Sequence, residues 1–149
     1  MSSGKGPLNY TTTIEPDKTA IECIGILVKH GAKNVALSIG EDKIPDGLDF
    51  VIVNPWGPRQ YSLPVNLAGT EKALLKAWRD GKIDRRFSRP GQARRVAWRV
   101  LKDWLEAQLA LIEAGVAELQ QVMLPWMRVA VGKTLYQAVA ENEMKALEP

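Results

Sequence analysis

The sequence contains very few of the residues that build most catalytic and metal-binding sites. Of its 149 residues, one is a cysteine, Cys23, and one is a histidine, His30. A single cysteine excludes an internal disulfide and a cysteine-rich zinc site, and a single histidine excludes a two-histidine metal site. We expect Cys23 to be a small core residue of an amphipathic helix and His30 to stand at the C-terminal end of that helix. The sequence therefore predicts a protein that is not an enzyme and needs no cofactor and no metal.

Long apolar runs are missing as well. No run approaches the ~18 residues that a membrane span requires, and residues 1–6 lack the apolar core of a signal peptide. The composition is 46% hydrophobic and 25% charged, which is typical of a soluble globular domain. We therefore expect a cytoplasmic protein with no membrane partner.

The charge is distributed unevenly along the chain. The net charge of +3 hides a neutral segment, 1–80, with nine basic and nine acidic residues. Residues 81–102 contain eight basic residues and one acidic residue, whereas residues 103–149 contain three basic and seven acidic ones. The middle segment, at +7, attracts polyanions over about one Debye length, ~8–10 Å at physiological salt. Two other interpretations stay open, a solvated face and pairing with the acidic tail of a neighbouring subunit.

The pattern of apolar residues predicts an α+β fold. Period-two alternation and β-branched residues predict four strands, at 9–15, 34–39, 48–53 and 59–63. Helical spacing between Pro16 and Gly31 predicts a helix between the first two strands. The first half is therefore expected to be a small antiparallel β-α-β-β-β sheet.

The second half is predicted to be helical. A short helix begins near Gly69, and a long helix is expected from about residue 90 to 124, where Pro125 stops it. At 1.5 Å per residue the long helix would measure ~50 Å, more than the ~30 Å width of a small domain, which favours homo-oligomerisation. A last helix is expected at 134–146.

The domain organisation follows from these elements. Residues 1–8 are expected to be a flexible arm, residues 9–80 an α+β subdomain, and residues 81–149 a helical extension packed on it in a single compact unit.

Two weaker motifs do not support a site. Gly132-Lys133-Thr134 ends like a phosphate-binding loop, but Met127 occupies the position where that motif requires glycine. Thr134 is instead expected to cap the last helix. Four carboxylates cluster at and next to the predicted hairpin loop, residues 40–47, and their spacing fits no helix-loop-helix calcium site. They are Glu41, Asp42, Asp46 and Asp49.

The basic segment also contains aromatic residues, and the combination is typical of proteins that bind single-stranded nucleic acid. Arginines contact the phosphates, and flat rings stack on bases for ~1–3 kcal/mol each. The candidate binding residues are Arg85, Arg86, Phe87, Arg89, Arg94, Arg95, Trp98 and Arg99. As alternatives, Trp98 packs on the sheet and Arg99 pairs with Asp103.

Several segments resemble a family of small bacteriophage and prophage proteins. The segments are 92–110 (QARRVAWRVLKDWLEAQLA), 123–125 (MLP), 132–136 (GKTLY), 12–16 (TTIEP) and 63–66 (LPVN). The resemblance implies a protein that acts in the cytoplasm of a bacterial host, and it brings no catalytic or binding residues with it.

Three functions remain open. The first hypothesis is a non-catalytic, oligomeric nucleic-acid-binding protein that uses residues 81–102 and prefers single strands. The second is an anti-defence protein that sequesters a small phosphorylated nucleotide signal or binds a host defence protein. The third is a virion or scaffold component in which the long helix serves assembly.

Overall fold

A computed structural model describes residues 6–142 of the chain and shows an α+β architecture, as the sequence predicts. The described elements form a three-stranded sheet, a two-stranded sheet and five α-helices, with two short 3₁₀ turns. In chain order they are α1 Pro16–Lys29, β1 Lys33–Ile39, β2 Pro45–Asn54, β3 Gly57–Pro64, α2 Leu67–Arg79, the 3₁₀ turn Arg85–Ser88, α3 Pro90–Glu113, α4 Leu119–Met123, the 3₁₀ turn Leu124–Trp126, β4 Arg128–Ala130, β5 Lys133–Thr134 and α5 Leu135–Glu141. None of the helices between residues 6 and 142 is both long and apolar enough to cross a membrane.

These elements group into two compact units. Unit 1 comprises residues 6–25 and 65–107, and unit 2 comprises residues 26–64 and 108–142. Each unit therefore combines two segments that are far apart in the sequence, whereas the predicted organisation follows chain order.

The core of unit 1 lies around α2 and the first half of α3. Leu74, Ala77, Ile83, Ala93 and Val96 form a buried cluster against which Tyr10 and Phe87 pack. Burial of such side chains contributes ~25 cal/mol per Å² of apolar surface. The connector between the two helices contributes Ile83 to this cluster and packs Phe87 against it, so its own apolar side chains anchor it to unit 1.

The predicted strand at 9–15 is wrong. The Tyr10 amide donates to the carbonyl of Pro7 (3.1 Å), the Thr12 amide donates to that of Asn9 (3.0 Å), and the chain turns. The Gln92 side-chain amide then donates to the carbonyls of Tyr10 (2.7 Å) and Thr12 (2.9 Å). Backbone carbonyls of this run therefore accept hydrogen bonds from a helix side chain and not from a neighbouring strand.

The predicted flexible arm lies partly outside the described residues, which begin at residue 6. Gly6 itself packs closely in unit 1, because a Cβ atom there would lie 2.4 Å from Cγ2 of Ile83. Gly6 therefore lies close to Ile83, and the flexibility of the arm stays a prediction.

The main sheet belongs to unit 2. Its order is β1-β2-β3, antiparallel throughout, and the three strands confirm the predictions at 34–39, 48–53 and 59–63. Leu48, Phe50, Tyr61 and Leu63 are buried on one face, and the rings of Phe50 and Tyr61 stack at 5.7 Å. Alternation places the intervening residues on the other face.

The predicted long helix is too long. α3 ends at Glu113, and Gly115 follows with φ +78°, a left-handed conformation that terminates helices. A helix of 24 residues measures ~36 Å. This length still exceeds the ~30 Å width of a small domain but by far less than predicted, so the length argument for oligomerisation is weakened, and oligomerisation stays a prediction.

The C-terminal part of unit 2 contains a small hairpin, β4–β5, that the sequence did not predict. Thr134 caps α5 as expected, since its Oγ1 accepts from the Gln137 amide and the Gln137 side chain accepts from the Thr134 amide. α5 ends at Glu141, and residues 143–146 of the predicted helix lie outside the described part of the chain.

Candidate nucleic-acid interface

The connector between α2 and α3 contains four of the eight predicted binding residues. Asp84 caps the 3₁₀ turn by accepting from the Arg86 amide at 3.0 Å, and the Ser88 hydroxyl donates to the Arg85 carbonyl at 2.7 Å. Pro90 then begins α3, as its preset φ favours. These local bonds fix the turn while the side chains of Arg85, Arg86 and Arg89 stay exposed.

Two of the predicted arginines are occupied by partners within unit 1. Arg95 Nε donates to Glu15 Oε1 at 2.8 Å, and Arg99 Nη1 lies 3.4 Å from Glu22 Oε1. Both glutamates belong to the N-terminal segment of the unit. Arg95 and Arg99 therefore connect α3 to that segment, and a phosphate would have to compete with the two glutamates for them. The alternative pairing of Arg99 with Asp103 is not observed.

Lys102 extends the same row. It contacts Glu22 (3.5 Å) and Glu106, and the hydrogen bond that its ammonium group donates to Glu106 raises the pKa of Lys102. Asp103 accepts from the side-chain amide of Asn9 at 2.7 Å. Arg95, Arg99 and Lys102 therefore form their ion pairs inside unit 1.

Six other basic residues have no such partners. Among residues 6–142, none of the six has a carboxylate oxygen within 4.0 Å of its charged nitrogens. All six side chains are exposed. We call this set the basic surface: Arg79, Lys82, Arg85, Arg86, Arg89 and Arg94.

Two carboxylates, Asp80 and Asp84, lie in the same segment and offset only part of the charge of the six basic residues. Asp80 accepts a hydrogen bond from Lys76 at 2.7 Å, which lowers the pKa of Asp80. Asp84 is engaged as the cap of the 3₁₀ turn. The local excess of positive charge is therefore left to solvent and ions.

The aromatic residues are placed differently from the prediction. Trp98 is fully buried, with 0% of its surface exposed, so the expectation that it stacks on bases is wrong. Phe87 is half-buried, meets the ring of Tyr10 edge-on at 5.3 Å, and has the guanidinium of Arg86 4.7 Å from its ring centre. Its ring is therefore largely covered.

The sequence missed an exposed aromatic residue at this surface. Trp78, in the last turn of α2, is 37% exposed, and the guanidinium carbon of Arg85 lies 5.6 Å from its ring centre. Seven positions separate the two residues, and only the reversal of the chain after α2 brings them together. Spacing along the sequence gave no signal for this contact.

Neither Cys23 nor His30 belongs to the basic surface. Cys23 is fully buried, and burial raises the pKa of its thiol to about 12. His30 ends α1 as expected: Nδ1 donates to the Ile26 carbonyl (2.9 Å), and Nε2 lies 2.8 Å from Glu113 Oε1. The described residues contain no cluster of three or more potential metal ligands among His, Cys, Asp and Glu.

Comparisons with known proteins add no relatives. The sequence matches no protein-family model and no curated protein, and its fold matches no solved structure. They give no support to the resemblance to bacteriophage proteins.

Proposed function

We propose that the protein is a non-catalytic nucleic-acid-binding protein that contacts phosphates through the basic surface. The observation that carries the proposal is the contrast within unit 1. Three basic residues of α3 are paired with carboxylates, whereas six consecutive basic residues between 79 and 94 are exposed and have no ion-pair partner among residues 6–142. Arginine is also the side chain best suited to fork onto a phosphate.

The start of α3 supports the same conclusion. The helix is 24 residues long and has no acidic residue in its first turn. Its N-terminus carries a positive partial charge, so the nearby Arg94 is unfavourable alone and favourable next to a phosphate.

Trp78 supports a preference for single strands. A partly exposed indole beside Arg85 can stack on an unpaired base, which a duplex does not offer. We therefore expect single-stranded DNA or RNA to bind more tightly than duplex DNA.

Fluorescence anisotropy of labelled single-stranded DNA, single-stranded RNA and duplex DNA tests the proposal. Affinity is expected to fall steeply between about 50 and about 200 mM salt, because each neutralised phosphate releases counterions. No binding to any of the three at low salt would refute it. Tight binding of a mononucleotide or dinucleotide without binding of polymers would favour the sequestration of a phosphorylated signal.

A matched pair of triple variants separates the basic surface from net charge. Arg86→Gln, Arg89→Gln and Arg94→Gln together are expected to weaken binding. They should also make the negative slope of log K against log salt shallower by about 2 for single strands. The control carries Lys29→Gln, Lys33→Gln and Arg59→Gln, three exposed positions of unit 2 with the same loss of charge. Equal effects of both triples would show that overall charge, and not this surface, binds the polymer.

A further inference from the structure

The outer face of the main sheet in unit 2 lines a cavity of about 340 Å³. Asp49 on β2 and Ser62 on β3 are opposite each other in the register and lie on the face away from the buried Leu48 and Phe50. The β4–β5 hairpin lines the same cavity. The volume falls in the range of ~300–1,000 Å³ that is typical of small-molecule sites.

Ser62 forms hydrogen bonds with a carboxylate and with a guanidinium group in this cavity. Its hydroxyl donates to Asp49 Oδ1 at 2.7 Å, and Arg128 Nη1 donates to the Ser62 oxygen at 3.2 Å. All three side chains are half-buried. Since the hydroxyl proton is used on Asp49, the guanidinium approaches the lone pairs of the same oxygen. A carboxylate and a guanidinium therefore flank a single hydroxyl.

The Arg128 guanidinium does not form an ion pair with a carboxylate of this cavity. Between residues 6 and 142, no carboxylate oxygen lies within 4.0 Å of the Arg128 guanidinium, which has five N–H donors. Asp46, also in the cavity lining, forms no ion pair with a described residue, whereas Lys133 is paired with Glu141 at 2.6 Å. Half-buried charges with spare hydrogen-bonding capacity favour a ligand that supplies the missing partners.

We propose that this cavity binds a small zwitterion with an amine and a carboxylate close together, the chemistry of a free α-amino acid. The ligand carboxylate contacts Arg128, and its ammonium group contacts Asp49 and Asp46. A phosphate alone would meet two carboxylates, and a simple amine would offer no acceptor to the guanidinium N–H groups that Ser62 does not use. The proposal is independent of the basic surface, which belongs to unit 1.

Isothermal titration calorimetry of the full-length protein with each of the twenty L-amino acids tests this inference. At least one is expected to bind with a Kd below about 1 mM. Its C-terminal amide, which lacks the carboxylate, and its N-acetyl derivative, which lacks the ammonium group, should each bind at least about tenfold more weakly. A dipeptide separates the two charges further and should also bind less tightly. This arm uses the natural protein and does not depend on how any variant folds.

Substitutions locate the site. Arg128→Gln and Asp49→Asn are each expected to weaken binding at least about tenfold, while Arg59→Gln, an exposed arginine of β3 outside the cavity lining, should leave the affinity unchanged. Circular dichroism verifies that each variant is folded. The inference is overturned if no amino acid binds at ~10 mM, if the blocked derivatives bind as well as the parent, or if neither substitution in the cavity changes the affinity.

Discussion

Arginines of similar sequence context have different roles in unit 1 because of the acidic residues available to each. Arg94 and Arg95 are neighbours in α3, yet Arg95 reaches Glu15 and Arg94 is exposed without an acidic partner among residues 6–142. One position along the helix therefore distinguishes an arginine that packs within unit 1 from one that is a candidate for binding phosphate. At this scale the sequence identifies the type of residue, and only the fold assigns its partner.

Cys23 allows a test of burial at a single atom. In the native protein the thiol should not react with a thiol reagent at neutral pH, whereas unfolding in denaturant should expose one reactive thiol per chain. Burial excludes the reagent and holds the pKa of the thiol at about 12. Rapid labelling of the native protein would contradict this placement.

The same pKa shift predicts a dependence of stability on pH. In the unfolded chain the thiol ionises near its ordinary value of 9.0, and in the folded protein near 12. The unfolded state therefore loses the proton first, and the contribution of the thiol is complete below pH 9 and decreases from there to about pH 12. Urea titrations at increasing pH should show wild type losing stability relative to Cys23→Ala, by up to about 1.4 kcal/mol per pH unit. Parallel pH profiles of the two proteins would contradict it.

At the scale of elements, Gly115 decides where α3 ends. Its φ of +78° is a conformation that alanine adopts only with strain, so Gly115→Ala should destabilise the protein by about 1 kcal/mol or more. Gly25 lies inside α1 with open space around its Cα, and Gly25→Ala should stabilise by roughly 0.5–1 kcal/mol. Chemical denaturation of both variants measures the two effects. A stabilising Gly115→Ala would show that the break in the helix is not imposed by that conformation.

The strand predictions are confirmed where the local sequence pattern favours a strand and the fold also supplies a strand to pair with. Alternation in 34–39, 48–53 and 59–63 gave three strands because each pairs with its neighbour in sequence. Residues 9–15 have the same β-branched character, but Gln92, eighty positions away, takes up their carbonyls. Apolar periodicity continued through Gly115, and nothing in that periodicity marks a left-handed residue.

The candidate interface was predicted in part for the same reason. Positive charge in 81–102 is a property of composition, and the exposed Arg85, Arg86, Arg89 and Arg94 agree with it. The burial of Trp98 and the contact between Trp78 and Arg85 depend on tertiary packing, which the order of residues does not reveal.

At the scale of the whole molecule, charge is divided between the two units. The described residues of unit 1 include twelve basic and eight acidic residues, and those of unit 2 include six basic and seven acidic ones. Unit 1 therefore has a net charge of +4 and unit 2 a net charge of −1. The repulsion within unit 1 is concentrated at the basic surface and is screened by salt.

This distribution predicts the response of thermal stability to salt. Raising sodium chloride from about 50 to about 300 mM should increase the Tm of wild type by about 1–2 °C, the equivalent of a few tenths of a kcal/mol. The increment should shrink in the triple variant of Arg86, Arg89 and Arg94 and persist in the control triple of Lys29, Lys33 and Arg59. Differential scanning calorimetry measures all three proteins. An equal increment in both triples would show that repulsion is not localised at the basic surface.

The interleaving of the two units also determines the order in which they can be completed during synthesis. The strands β1 to β3 pair with sequence neighbours and can form a meander as soon as residue 64 has left the ribosome. Residues 6–25 must wait for residues 65–107, so unit 1 is the first whose chain is complete. The remaining part of unit 2, residues 108–142, follows about 2–7 s later at ordinary rates of translation. Met127, which forms a β-bridge with Tyr61 at the β3 edge, lies in this last segment, so that edge stays open to pairing with other strands until the segment has been made.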